Sequence, residues 1–151
     1  MKALGIEIVS GDLKWVILDG DKNGGVFEFL TDNSLALPQA DTDDCGNLLA
    51  LTQSARNHFQ TLGVERVGII RADKGCSVLR AKVEFALQIA CRESGVPCSL
   101  ISILTVRAAV DRKVMQITGN SLWDIYNGGL EIRPKYLTKP AHAAWCVHNA
   151  V

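Results

Sequence analysis

Three short apolar runs limit what this chain can build: KALGIEIVS from Lys2, ERVGIIR from Glu65 and CSLISI from Cys98. In the first, both alternating sets are mostly apolar, with Leu4, Ile6 and Ile8 on one side and Ala3, Gly5 and Val9 on the other. A strand with two apolar faces is covered on both, as in a sheet held between helices. Glu7 is the one carboxylate inside this run.

The intervening segments carry helical spacing. Leu48, Leu51, Ala55, Phe59 and Leu62 recur three and four residues apart, which predicts a helix from about Cys45, capped by the preceding TDD and stopped after Leu62 by Gly63. Ser77 caps a second helix reaching about Glu93, with Leu79, Val83, Ala86, Leu87 and Ala90 as its stripe. Thr105 opens a third to roughly Gln116, where TGN breaks it. Pro140 suits the first turn of a last helix, PAHAAWCVHNA, because its missing N–H would be unsatisfied there anyway. Between these two, SLWDIYNGG reads as a turn or two of helix and LEIRPKYLTKP as a loop, as does the polar stretch from Thr31 to Asp44.

Upstream of the helices, KALGIEIVS, LKWVILDG and VFEFL are joined by the short links SGD and DGDKNGG, which predicts three antiparallel strands. The order is therefore β-β-β-α-β-α-β-α-α. It describes an α/β fold: a mixed five-stranded sheet in order 3-2-1-4-5, with strand 2 antiparallel and helices on both faces. That is the ribonuclease H-like architecture. No linker or repeat interrupts residues 1–151, so one domain is expected.

Sixteen Lys plus Arg balance sixteen Asp plus Glu, so no overall field draws the chain to nucleic acid or an anionic membrane, and any such contact must come from a local patch. No apolar run approaches the roughly 18 to 20 residues of a membrane span, and the first residues lack a signal-peptide pattern. A cytoplasmic protein without a membrane partner is expected. Five cysteines with no CxxC pair point to reduced thiols and not to a disulfide framework or zinc site. Cys76, beside Lys74 at a helix start, is the one placed for reactivity.

GIEIVSGDLKWVILDGD resembles the opening of RuvC-type Holliday-junction resolvases, and KPAHAAWCVH resembles their final helix. IIRADKGCSVLRAKVEFALQIA is similar to a family of small bacterial proteins related to the resolvases, with an Arg, a Lys-Gly and a Lys-x-Glu in this order. The resemblance implies a two-metal nuclease site built from an acid on strand one, an acid at the end of strand four and acids at the start of the final helix. Glu7 fills the first place; Arg71 stands at the second, and Lys139 and His142 at the third.

Two divalent cations carry about four positive charges and need several oxygen ligands. One carboxylate beside Arg71 and Lys139 does not compensate them. The residues therefore predict no bound cofactor and no metal-ligand set, with an ion pair between Glu7 and Arg71 closing the site. A reduced site, with Mg or Mn at Glu7 and with Asp73 and His142 as further catalytic groups, is the alternative.

Arg71, Lys74 and Arg80 cluster around a helix start and are the candidate phosphate-binding residues. The expected function is a non-catalytic module that binds a phosphate-bearing ligand or nucleic acid. The alternatives are an active metal-dependent nuclease using Glu7, Asp73 and His142, and a protein–protein interaction module, with a homodimer as one form. Among the remaining candidates, His58 is expected to be a surface or satisfied core residue, Trp145 to be core, and His148 to lie at a frayed end.

Overall fold

The structure, a computed structural model, describes residues 1–9, 12–21, 26–30, 45–102, 104, 112, 115–117, 119 and 138–148. Its elements run β1 (Lys2–Val9), β2 (Asp12–Asp21), β3 (Val26–Leu30), α1 (Cys45–Thr61), β4 (Arg66–Ile70), α2 (Val78–Ser94), β5 (Cys98–Ile101) and α3 (Thr138–Val147). The sheet order is β3-β2-β1-β4-β5. β1 pairs antiparallel with β2 and parallel with β4, and β5 extends the parallel half. This is the order expected from the sequence.

Local chemistry explains the helix ends. The Ser77 hydroxyl accepts the Arg80 N–H at 3.2 Å, and Gly95, at φ 71°, donates its N–H to carbonyls of the last turn of α2. α1 ends at Thr61, with Gly63 in the left-handed region. α3 begins at Thr138, two residues ahead of the expected Pro140, which sits in its first turn. Helical backbone is present at 104, 112 and 115–117, and Gly119, at φ 73°, donates its N–H to the Met115 carbonyl, in keeping with the break expected at TGN. The rest of that segment, the loop 31–44 and the stretch 121–137 with Trp123 lie outside the described residues. Among the described residues no helix is long and apolar enough to cross a membrane.

Two apolar clusters lie on opposite sides of β1. Leu4, Ile6 and Ile8 pack with Val67 and Ile69 against Leu51, Ala55 and Phe59 of α1 and Val83, Leu87 and Ala90 of α2. On the other side Val16, Leu18 and Phe29 pack against Ala141, Ala144 and Trp145 of α3. Trp145 is core as expected, edge-on to Phe27 at 5.1 Å.

Three sequence expectations change. CSLISI was expected to be a core strand; β5 holds the edge position that the expected order gives it, but its Ser99 and Leu100 are exposed. His148 is wholly buried instead of frayed, its Nε2–H donating to the Met1 carbonyl at 3.0 Å. The third correction, to the partner of Glu7, belongs to the site.

Candidate functional site

Glu7 is buried on the α3 side of the sheet. Alternation along β1 sends Leu4, Ile6 and Ile8 into the α1/α2 cluster, so Gly5 and Glu7 face α3. The helix comes unusually close at Gly5: a Cβ there would collide with the Pro140 carbonyl oxygen and the Ala144 nitrogen. At Gly68, beside Gly5 on β4, a Cβ would lie 2.8 Å from the Ala143 carbonyl oxygen. Two glycines and the small residues of α3 thus let helix backbone rest almost directly on strand backbone. The start of α3 is thereby carried to Glu7.

The result is an ion pair: Lys139 Nζ lies 3.1 Å from Glu7 Oε1, with the carboxylate side chain 11% exposed and the lysine 38%. Lys14 stands directly opposite Glu7 in the β1–β2 register and shares its face of the sheet. Glu7 thus has one lysine as its ion-pair partner and a second as its cross-strand neighbour.

Arg71 is not among them. The parallel register sets Ile69 beside Ile6, so alternation puts Ile70 on the Glu7 side and Arg71 on the opposite one. Arg71 is exposed, and its N–H continues the ladder to the Ile101 carbonyl at 2.9 Å. The expected Glu7–Arg71 pair is overturned by this parity. Both residues sit near strand carboxyl ends, as expected, but on different faces.

Beyond Arg71 the chain turns. The Asp73 carbonyl accepts the Cys76 N–H at 3.1 Å, Gly75 adopts φ 84°, and Asp73 and Lys74 are exposed on this turn. Its entry is held by a residue not singled out from the sequence: Glu84 of α2 accepts the Ala72 N–H at 2.7 Å. The sequence signal for Glu84 is the Lys82-x-Glu84 pair noted with the resemblance, and it lies six residues beyond Val78, the first residue of α2. Arg80 is half-buried, and its Nε is shielded from solvent without a hydrogen-bond partner among the described residues.

His142 is buried on α3, where its Nδ1–H donates to the Thr138 carbonyl at 2.6 Å. His58 makes the same contact within α1, with Ser54, and is a satisfied helix residue as expected. Among the described residues no group of three or more His, Cys, Asp or Glu side chains is placed to hold a metal ion. Asp73 lies on an exposed turn, whereas Glu7 faces α3, the helix in which His142 is buried.

No protein-family model matches the chain, and no curated protein does. Solved structures do match. RuvC of Thermus thermophilus superposes with a TM-score of 0.69 at 14% identity, over 96% of this chain and 92% of that one. A second T. thermophilus RuvC structure, in complex with a Holliday junction substrate, gives 0.68 at 16% identity, over 96% and 90%. The chain has the RuvC-type, ribonuclease H-like fold.

Proposed function

We propose that this protein uses the resolvase fold to bind a phosphate-bearing ligand, nucleic acid being the class its structural relative suggests, without cutting it. The observation that carries this reading is the Lys139 ammonium 3.1 Å from the Glu7 carboxylate. A divalent cation would need that carboxylate as a ligand, together with others nearby, and an ammonium supplies the counter-charge instead. Lys14 across the strand adds a second positive group. On this reading the described residues around Glu7 do not suit a two-metal centre, and no catalytic step is assigned to one.

Phosphate contact falls to the turn after β4. Arg71 and Lys74 are exposed there, and Arg80 brings a guanidinium whose shielded Nε has no partner among the described residues. Arg and Lys near the start of a helix are suited to an anion because the free N–H groups and the helix dipole act in the same direction. Because these cations would act by neutralising phosphates, binding should weaken as salt rises.

Four-way junction, duplex and RNA–DNA hybrid substrates incubated with Mg²⁺ or Mn²⁺ test both halves of the reading. No cleavage is expected, and the triple variant Arg71→Ala, Lys74→Ala, Arg80→Ala should lose at least tenfold in binding. Specific cleavage that disappears in Glu7→Gln would restore the nuclease, with Asp73 as the first ligand to examine. A partner-binding module is the second reading. It is favoured by an open apolar groove of about 260 Å³ between α1 and α2, beside which Leu49 and Phe85 are 58% and 64% exposed. Sedimentation of Phe85→Asp against the native chain tests self-association there.

A further inference from the structure

At the end of the sheet remote from Glu7, two thiols meet. Cys91, in the last turns of α2, is 1% exposed within the α1/α2 cluster, and Cys98, the first residue of β5, packs against that cluster and is partly exposed. The chain between them reverses tightly. Gly95 takes the left-handed conformation, and the Val96 N–H donates to the Cys91 carbonyl at 2.9 Å, which returns the strand alongside the helix end. Cys98 packs on the cluster that encloses Cys91, and each thiol is the strongest electrostatic neighbour of the other. Both are free.

The pair is asymmetric. Hydrogen bonding with Cys91 lowers the Cys98 pKa, against the opposing effects of its burial and the Glu84 carboxylate; the same interaction, then burial and the charge of Cys98, pushes the Cys91 thiol far up. Cys98 is thus both the more accessible sulfur and the one that ionises first, with Cys91 as the S–H donor behind it.

We propose that Cys91 and Cys98 form a dithiol–disulfide couple, oxidised by a peroxide to an intramolecular bond that ties the end of α2 to the edge strand β5. The Cys98 thiolate attacks a peroxide oxygen. An S–O bond forms, the O–O bond breaks, and the departing hydroxide takes a proton to leave as water; the sulfur is oxidised by two electrons and the peroxide reduced. Cys91 sulfur then attacks the sulfenic sulfur. The S–S bond forms, the S–O bond breaks, and hydroxide leaves with the Cys91 proton as a second water. The tight turn at Gly95 holds both thiols at one corner of the fold, and Cys98 is the less buried of the two. This couple stands independently of any reading of Glu7.

The sequence makes the test direct, because Arg92 lies between the two cysteines and trypsin separates them onto peptides 83–92 and 93–107. Full-length reduced protein treated with hydrogen peroxide and alkylated before digestion should show these two peptides joined, two hydrogens lighter than their sum, and separated again by reductant. Cys98→Ser should lose the joined species. Cys91→Ser, checked for native folding by circular dichroism, should leave Cys98 as a sulfenic acid captured by dimedone. A joined species involving Cys76 instead, or oxidation of Cys98 with no joined peptide in the native chain, would overturn the proposal.

Discussion

On one side of β1, Leu4, Ile6 and Ile8 meet Leu51, Phe59, Val83 and Leu87; on the other, Gly5 meets the backbone of Pro140 and Ala144. The first side is a core of interdigitated side chains and gains its stability by burying apolar area. The second is a close approach of main chains, made possible by taking side chains away. The two regions use adjacent residues of one strand for opposite purposes. The difference matters for the site, because only a helix seated that closely brings Lys139 to 3.1 Å from Glu7.

Changes of opposite size at neighbouring positions should break each side in its own way. Ile6→Ala removes a side chain that is 1% exposed and leaves a cavity against α1 and α2, which should cost about 4 kcal/mol. A urea midpoint with an unchanged slope measures it. Gly5→Ala adds one methyl group where the Pro140 oxygen already stands, and should cost about 3 kcal/mol by forcing α3 off the sheet. Near-ultraviolet circular dichroism of Trp145 should change in this variant more than in Ile6→Ala, since that ring is carried by α3. An unperturbed Trp145 signal would show that α3 does not rest on β1 as described.

A smaller effect sharpens the comparison at the site. Lys139→Met leaves the buried Glu7 carboxylate without its ion-pair partner, and because the lysine is 38% exposed the cost should be about 1 to 2 kcal/mol, below that of a fully buried pair. Arg71→Met, on an exposed residue of the opposite face, should stay within about 0.5 kcal/mol of the native chain. Equal losses in the two variants, measured by thermal denaturation at one salt concentration, would contradict the assignment of Lys139 as the partner.

Much of the fold was legible because it rests on local pattern. The stripes Leu51–Ala55–Phe59 and Val83–Leu87–Ala90, the Ser77 cap and the Gly63 and Gly95 stops are short-range signals, and they place α1 and α2 within a residue of their observed ends. The strand order followed from the short links between the first three strands and the alternation of helix and strand after them. The site was half legible. Glu7 stood out as a carboxylate in an apolar strand, and Lys139 as a cation where acids were expected, but nothing local joins residues so far apart in the chain.

By itself, then, the sequence determined the elements, the order of the strands and the isolation of Glu7 among apolar neighbours, since each depends on periodicity or on a nearby turn. Tertiary structure alone decided which cation reaches that carboxylate. A parallel pairing offset by one residue would have turned Arg71 to the Glu7 face. The observed register, Ile6 beside Ile69, turns it away, while the closeness of α3 over Gly5 and Gly68 delivers Lys139. Strand parity is a single-residue matter with no signature in either strand read separately, because both faces of β1 and β4 are apolar and either register would bury them.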